Sequence, residues 1–275
     1  EEQDQAYKGL CGLLDQGKPA AALLIGVTGS GKTLVYMKLI EQVLAQGKGA
    51  LVLVPEIALT PQLLERFYRQ FGKRVALLHS ALSAGERYDE WKRIRSGQAD
   101  VVIGTRLAVF APIPNLGLVV LDEEQEETYY SEQAPKYHAR DVAKFRAVQH
   151  DALLLLISAT PSLESMHAAR EGRYALFTLP NRYAGGKLPD VSFVDMKKEL
   201  AAGRFGAISG PLYEALAENI ENKRQSILFL NRRGWSRTIL CQSCGATPTC
   251  KHCSVAMTYH KANRRLMCHY CGYSE

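Results

Sequence analysis

The 275-residue sequence lacks the features that mark several large protein classes. It contains no apolar run near the roughly 18–20 residues of a membrane span, which excludes a transmembrane helix. It opens on the polar stretch EEQDQAYKG and shows no secretory signal peptide, and without an initial Met we expect it to be part of a longer chain. Its 47% hydrophobic and 23% charged residues exclude a disordered or collagen-like chain.

Acidic residues are almost missing from the end of the chain, and cysteine is almost missing from the rest. Residues 223–275 hold nine Lys and Arg but one acid, Glu275, whereas residues 1–222 hold 25 basic and 27 acidic residues. Cys11 is the only cysteine before residue 241, and its helical pattern predicts a small core residue. The basic tail permits a nucleic-acid partner. Metal-bound thiolates would remove much of that charge, so charge alone is weak support for DNA binding.

Apolar runs alternate with amphipathic stretches over the first 180 residues. This alternation predicts an α/β fold around a parallel sheet buried on both faces. The predicted strands are Ala21–Gly26, Ala50–Val54, Val75–Leu78, Asp100–Ile103, Gly117–Leu121 and Leu153–Ile157. The predicted helices between them are Lys32–Ala45, Thr60–Phe71, Ser83–Ser96 and Ala139–His150.

A change of composition near residue 181 predicts a domain boundary. The segment NRYAGGKLP, within residues 181–190, is typical of a linker. Two further predicted strands, Val191–Val194 and Ser226–Leu230, flank a predicted helix, Gly210–Lys223. We therefore expect a second α/β unit to begin after the linker and to be interrupted at once by the cysteine-rich segment.

A glycine-rich segment, GVTGSGKT, follows the first predicted strand and opens the first predicted helix. This is the G-x-x-x-x-G-K-[ST] pattern in the strand–loop–helix setting of a phosphate-binding loop. Its glycines let backbone N–H groups point at a phosphate, towards which the helix also directs its positive dipole end. We expect Lys32 to reach the β- and γ-phosphates and Thr33 to bind Mg²⁺. The predicted nucleotide-binding residues are Gly26, Val27, Thr28, Gly29, Ser30, Gly31, Lys32 and Thr33.

An apolar strand that ends in acids, GLVVLDEE, predicts the second half of a nucleotide site. We expect Asp122 to hold Mg²⁺ through water and Glu123 to accept a proton from the attacking water. Crowded carboxylates are tolerable there because the metal balances their charge. Glu126 and Glu127 are interpreted as a solvated acidic turn, an alternative that also stays open for Glu124.

Two other classes of nucleotide-binding protein fit poorly. The sequence has no N-K-x-D motif of the kind with which a GTPase reads guanine. The signature L-S-G-G-Q of an ABC ATPase has a near match in LSAGE, but this segment ends 36 residues before Asp122 instead of shortly before it.

Three polar segments follow other predicted strands and indicate a helicase. They are VPEIALTPQ (residues 54–62), GTR (104–106) and SATPS (158–162). The carboxyl ends of strands in such sheets meet at one edge, where ligands bind. A rim rich in hydroxyls and amides can hold a sugar-phosphate backbone without reading bases. The predicted DNA-contacting and coupling residues on this rim are Thr105, Arg106, Ser158 and Thr160.

Together, GVTGSGKT, VPEIALTPQ, GTR, DEEQ, SATPS and ILFLNRRG, followed by paired cysteines, resemble the bacterial primosomal protein N-prime (PriA) family over essentially the whole chain. The resemblance implies a superfamily 2 DNA helicase of 3′-to-5′ polarity. It implies replication restart at stalled forks and D-loops by recruitment of the replicative helicase, with ATP, Mg²⁺ and Zn²⁺ as cofactors. The implied partners are single-stranded and forked DNA, single-strand-binding protein and primosome proteins, at a cytoplasmic, nucleoid-associated location.

The implied architecture is a RecA-like P-loop NTPase lobe with a parallel sheet (1–180), the linker (181–190), the beginning of a second RecA-like lobe (191–240) and a small, incomplete Cys-rich zinc module (241–275). Residues 128–141 resemble the family's aromatic-rich loop. The candidates for stacking on DNA bases are Tyr129, Tyr130, Tyr137 and His138, with packing beneath the loop as the alternative for each. The segment EQDQA resembles the family's entry segment, which assigns Gln3 to the adenine end of the nucleotide site.

One residue departs from the family pattern. The family's acidic box is usually D-E-E-H, and Gln125 stands here in place of the histidine. Glutamine donates and accepts hydrogen bonds but does not become cationic near neutral pH. We expect ATP hydrolysis to survive this change. We expect the coupling of hydrolysis to DNA binding to be the property that the change affects.

Six cysteines form three C-x₂-C pairs, a strong metal signal. They are Cys241, Cys244, Cys250, Cys253, Cys268 and Cys271. Disulfides are disfavoured because a nucleotide-driven motor works in a reducing compartment. The last four make one complete zinc site with ribbon-like spacing, and by resemblance the first two await a fourth pair beyond Cys271. Alternative ligands are His252, His260 and His269, which are otherwise interpreted as exposed neighbours.

The resemblance also implies elements that this sequence does not contain. The family's second lobe places an arginine across the ATP site, in a helix past residue 275, and the family's amino-terminal domains recognise the DNA end at a fork. We therefore expect this chain alone to bind ATP·Mg weakly and to hydrolyse it poorly. The alternatives to a helicase are a non-hydrolysing fork-binding and loading module, or another superfamily 2 DNA translocase.

Overall fold

The structure is a computed structural model that describes residues 1–183, 185, 189–203, 208–229, 247–260 and 265–275. The chain divides into two compact units, residues 1–187 and 188–275. This division falls inside the segment interpreted as a linker.

The first unit is built on one seven-stranded parallel sheet, in the order β3-β4-β2-β5-β6-β1-β7. Its strands are β1 (Ala20–Gly26), β2 (Gly49–Leu53), β3 (Val75–Leu78), β4 (Val101–Gly104), β5 (Leu116–Leu121), β6 (Leu153–Ser158) and β7 (Ala175–Leu179). Four neighbouring strands of the sheet, β4, β2, β5 and β6, are buried at every position, as expected of central parallel strands covered on both faces. β7 lies at the edge and is only partly buried.

Six helices cover the two faces of the sheet. They are α1 (Glu2–Leu14), α2 (Lys32–Ala45), α3 (Pro61–Phe71), α4 (Ala84–Arg95), α5 (Ala139–Gln149) and α6 (Leu163–Arg170). One buried cluster joins the sheet to α1, α2 and α3, and a second joins it to α4, α5 and α6. Side-chain hydrogen bonds cap the N-termini of several of these helices. Ser83 and Glu86 form a reciprocal capping box at α4, and Ser162 caps α6.

The six strands predicted for this unit are confirmed to within one residue at each end, and so are the four helices. The prediction missed α1, α6 and β7. The last is an edge strand whose side chains alternate between partial burial and exposure, so it lacks the continuous apolar run of its neighbours.

The second unit contains α7 (Met196–Ala201), α8 (Gly210–Glu221) and a two-stranded antiparallel pair, β8 (Thr258–His260) and β9 (Arg265–Met267). α8 confirms the predicted helix. The prediction of a strand at Val191–Val194 is wrong, because the structure has no strand there. The prediction of a strand at Ser226–Leu230 is also wrong for residues 226–229, the part of it that the structure describes. A strand needs a neighbour for its backbone groups, and these apolar stretches have none among the described residues; Phe193 is 96% exposed and Ile227 95%.

Within the described part of the chain, no helix is long and apolar enough to cross a membrane.

Candidate functional site

The loop after β1 has the backbone of a phosphate cradle. Gly29 and Gly31 adopt φ values of 80° and 86°, which suit glycine because it has no Cβ. A Cβ on Gly26 would lie 2.5 Å from the Ser30 hydroxyl, so close packing also requires glycine there. The Ser30 hydroxyl is buried and has no hydrogen-bond partner among the described residues. The loop therefore fits a phosphate group that supplies acceptors to its donors.

Lys32 opens α2 and points back into this loop. Its Nζ donates to the backbone oxygen of Gly26 at 2.8 Å, so the ammonium group already lies over the cradle. Gln3, on α1, donates from Nε2 to the backbone oxygen of Ser30 at 2.7 Å, which places this predicted residue directly on the loop. The loop, Thr33, Asp122 and Glu123 line a common cavity of about 670 Å³.

Sequence reasoning missed several residues of this cavity. Arg66, Arg69 and Gln70 reach it from α3, and Tyr183 lies beside the loop, with its backbone N–H donating to the oxygen of Gly29 at 2.9 Å. The amphipathic pattern of α3 predicted the helix, but it could not tell which polar residues would face the cavity. Tyr183 was counted as part of the linker.

The acidic box follows β5 at the same edge of the sheet. Burial, and then the neighbouring charge of Glu123, raise the pKa of Asp122 to about 6. The hydroxyl of the fully buried Tyr36 lies 3.4 Å from Oδ2 of Asp122. The carboxylate pair therefore fits a divalent cation, which would favour the charged form of both groups. Because Thr33 and Asp122 both line the cavity, the residues present suit Mg²⁺ bound to a nucleotide.

Glu123 has a left-handed backbone, with φ at 47°. Non-glycine residues adopt this conformation at a cost of order 1–3 kcal/mol and keep it where surrounding contacts hold them. The backbone N–H of Glu123 donates to Oδ1 of Asp122 at 3.1 Å.

A continuous chain of hydrogen bonds leaves Glu123. Gln125 donates from Nε2 to Oε2 of Glu123 at 3.1 Å, and its Oε1 accepts from the hydroxyl of Ser158 at 2.6 Å. The Ser158 oxygen in turn accepts from the backbone N–H of Thr160 at 2.8 Å. The structure thus brings the acidic box and the SATPS segment together through Gln125. Ser158 is fully buried and Thr160 is exposed, so the chain runs from the nucleotide cavity to the surface.

The interpretation of Glu124 as part of a solvated acidic turn is wrong. It is 1% exposed and forms an ion pair with Arg140 at 3.0 Å, so it is no part of a solvated turn. Glu126 is half-buried and Glu127 is exposed.

The predicted DNA-contacting residues separate into buried and exposed ones. Tyr129 is fully buried, and its hydroxyl bonds to the backbone oxygens of Asp122 and Leu53, so base stacking by Tyr129 was a wrong prediction. Tyr130 is 44% exposed and remains available. Thr105 is only 4% exposed, so its side chain offers almost no surface to a ligand, and its coupling role stays a prediction.

Arg106 holds the aromatic segment in place. One of its guanidinium nitrogens donates to the backbone oxygens of Thr128 and Tyr130. Its guanidinium carbon lies 5.9 Å from the ring centre of Tyr137, which packs edge-on against Phe110. A contact of Arg106 with DNA stays a prediction.

His138 caps α5 instead of standing free at the surface. Its Nδ1 accepts from the backbone N–H of Arg140 at 3.1 Å, and partial burial lowers its pKa. Stacking of His138 on a base stays a prediction.

Four cysteines in the second unit form a candidate zinc site. The sulfur atoms of Cys250, Cys253, Cys268 and Cys271 lie within 4.8 Å of one another, and those of Cys250 and Cys271 are 3.6 Å apart. Tetrahedral zinc with bonds of about 2.3 Å separates its sulfur ligands by about 3.8 Å, so the group fits zinc. Backbone N–H groups of Cys271 and Tyr270 lower the pKa of Cys268 to about 7, which favours the thiolate.

Among the described residues, no other predicted zinc ligand belongs to this group. Cys241 and Cys244 lie outside the described residues, as does the side chain of His260. His252 is exposed and packs edge-on against Tyr273, and His269 is exposed.

The fold and site define a P-loop ATPase lobe of the helicase type. The chain matches the DEAD/DEAH box helicase family over residues 2–169 and belongs to it. Residues 250–275 match the Cys-rich region of PriA DNA helicase.

Curated relatives confirm the predicted resemblance to PriA. The chain is 48% identical over 275 residues to the replication restart protein PriA of Bacillus subtilis (strain 168), a match that covers 100% of this chain and 34% of that protein. It is 43% identical to replication restart protein PriA of Rickettsia conorii, over 100% of this chain and 42% of that protein. The chain thus spans well under half the length of the relatives it matches.

Solved structures support the same fold. RecG bound to a three-way DNA junction is 28% identical, with a TM-score of 0.50, over 70% of this chain and 24% of RecG. The DUF1998 helicase MrfA is 21% identical, with a TM-score of 0.54, over 85% of this chain and 36% of MrfA. The likeness to MrfA concerns the fold alone.

Proposed function

We propose that this chain forms the ATP-binding lobe and part of the zinc module of an ATP-dependent 3′-to-5′ DNA helicase. This helicase binds stalled forks and D-loops and restarts replication by loading the replicative helicase. Membership of the helicase family and the identity to replication restart proteins support the proposal.

The observation that carries the proposal is the hydrogen-bonded chain Glu123–Gln125–Ser158–Thr160. It joins the residue placed to activate water with an exposed loop at the edge where the other strand-end loops meet. A motor needs such a link because nucleotide state must change its grip on DNA. An ATP site used only to stabilise a shape has no need of it.

Each nucleotide-site residue has a defined task in this proposal. Lys32 and the loop N–H groups bind the phosphates, Gln3 lies at the adenine side, and Thr33 and Asp122 hold Mg²⁺. The metal offsets phosphate charge when bound. Glu123 accepts the proton of the attacking water, held in orientation by Gln125.

The DNA strand lies along the carboxyl edge of the sheet, where Arg106, Thr160 and Tyr130 are placed to contact its backbone and bases. The zinc module is a structural element that faces duplex DNA and docks single-strand-binding protein and primosome proteins. The protein works in the cytoplasm, at the nucleoid.

ATP hydrolysis by the full-length protein, with and without single-stranded DNA, tests the proposal. Lys32→Ala is compared with Lys38→Ala, an exposed lysine on the same helix. We expect DNA to stimulate the wild type and Lys38→Ala alike, and Lys32→Ala to lose hydrolysis and unwinding. Unwinding requires a 3′ single-stranded tail. Restart activity that survives Lys32→Ala would instead identify a non-hydrolysing loading module, and unwinding from a 5′ tail would refute the polarity.

A further inference from the structure

The carboxylate of Glu124 is buried at the junction of three segments. It accepts from the backbone N–H of Ser162 at 2.7 Å, from the hydroxyl of Ser162 at 3.2 Å and from that of Ser165 at 2.9 Å. The fourth hydrogen bond comes from Nη1 of Arg140, at 3.0 Å. A fully buried carboxylate is costly unless several charge-assisted bonds compensate it, and these four do so. Neither phosphate binding nor proton transfer uses this group.

Arg140 brings the aromatic segment to that junction. It lies in the first turn of α5, directly after the segment 130–138, whose ends are joined by a bridge between Tyr130 and His138. A single guanidinium nitrogen, Nη1, reaches Glu124, Ser162 and Ser165 at 3.0, 2.8 and 3.3 Å. Nε of Arg140 has no hydrogen-bond partner among the described residues. The three side-chain hydrogen bonds of Arg140 to this junction therefore all come from Nη1.

Glu124 stands between two residues with chemical tasks. Glu123 precedes it with a left-handed backbone, and Gln125 follows it with the bond to Ser158. The backbone N–H of Glu124 donates to the oxygen of Ile157 at 3.0 Å, so main chain and side chain both attach this residue to the β6–α6 segment. A conformation that costs free energy persists only where neighbours hold it, and the Glu124 contacts fix the residue directly after Glu123 to two other segments.

We propose that Glu124 and Arg140 are a positioning pair, which holds Glu123 in its left-handed conformation by attaching the acidic box to the first turn of α5. The inference rests on the proposed function for its effect on ATP hydrolysis, but not for the geometry that it assigns.

Two variants of Arg140 in the full-length protein remove its contacts to different extents. Arg140→Met removes the charge and keeps much of the side-chain volume. Arg140→Lys keeps one terminal amino group, which can reproduce the three contacts of Nη1. Arg146→Met is the matched control, because Arg146 lies on the same helix, is half-buried and donates only to the backbone of Val109 in the described structure.

The first measurement is hydrogen exchange of the backbone amides at residues 119–128, made without DNA. We expect exchange in Arg140→Met to rise about tenfold or more, while Arg146→Met and Arg140→Lys stay near the wild type. Equal exchange in the two methionine variants would overturn the proposal, since the pair would then be only one of many core contacts. This result does not depend on whether the protein is a helicase.

The second measurement is DNA-stimulated ATP hydrolysis. We expect Arg140→Met to lower kcat about tenfold or more at a nearly unchanged KM for ATP, and Arg140→Lys to restore most of it. A loss that Arg146→Met shares to the same extent would contradict the positioning role. A wild type that DNA fails to stimulate would refute the proposed function, and the exchange result would still decide the inference.

Discussion

The hydroxyl of Tyr129 donates to the backbone oxygen of Asp122, 2.6 Å away, and lies 2.9 Å from the backbone oxygen of Leu53. It therefore joins the ends of β5 and β2, next to the acidic box. Burial, and the nearby carboxylate of Asp122, raise the pKa of Tyr129 well above its usual value, so the group stays a neutral donor. The next residue, Tyr130, points into solvent, so two adjacent tyrosines have opposite roles.

We expect Tyr129→Phe and Tyr130→Ala to separate these roles. Tyr129→Phe leaves the backbone oxygen of Asp122 without the hydroxyl donor, while that of Leu53 still accepts from the N–H of Asp122. We expect this change to cost about 1–3 kcal/mol of unfolding free energy and to lower ATP turnover. Tyr130→Ala should instead weaken binding of single-stranded DNA by about 1–3 kcal/mol at unchanged stability. Chemical denaturation and DNA titration measure the two effects. A loss of DNA affinity in Tyr129→Phe without loss of stability would contradict the burial of Tyr129.

Removal of one cysteine sulfur should remove one zinc ion. Cys268 is fully buried among the four thiols, so Cys268→Ser should lower the zinc content of the full-length protein by about one ion per chain and unfold the hairpin β8–β9. Cys11→Ser, in the other unit, is the control and should keep the full content. Elemental analysis measures the ions. An unchanged zinc content in Cys268→Ser would show that these four cysteines are not the ligands.

The cap on α5 should make the first unit sensitive to mild acid. Partial burial lowers the pKa of His138 below 6.5, so the folded protein favours the neutral ring, whose Nδ1 accepts from Arg140. The stability from the neutral ring is complete above pH 6.5 and is lost as pH falls through the lower pKa of the folded state. His138→Asn keeps a capping acceptor without a titratable group, so its Tm should fall less than that of the wild type between pH 7 and pH 5. Equal acid sensitivity would exclude His138 as the source.

The sequence was sufficient to predict six of the seven strands of the first unit's sheet, because these strands are continuous apolar runs and the motifs lie at strand ends. The positions of Lys32, Asp122 and the four zinc-binding cysteines follow from spacing in the same way. Side-chain direction in the loops was less accessible. Nothing in the order of residues distinguishes a buried Tyr129 from an exposed Tyr130.

Contacts between residues far apart in the sequence could not be predicted from it either. Glu124 was left as a possible solvated acid because its partner Arg140 lies 16 residues away and is brought near only by packing of α5. The strand predicted at Val191–Val194 failed for a related reason: an apolar pattern describes one strand, whereas a strand exists only with a neighbour to pair with.

In the proposed function, Gln125 and Ser158 transmit the state of the nucleotide site to the edge of the sheet proposed to bind DNA. Ser158→Ala removes the donor to Gln125 and the acceptor for Thr160 while it leaves every phosphate-binding group in place. Ser96→Ala is the matched control, because it makes the same substitution at an exposed serine directly after α4.

ATP hydrolysis by the full-length protein, measured with and without saturating single-stranded DNA, tests that claim most directly. We expect Ser158→Ala to keep basal hydrolysis within about threefold of the wild type and to lose DNA stimulation by about tenfold or more, with Ser96→Ala unchanged. Full DNA stimulation in Ser158→Ala would contradict the claim.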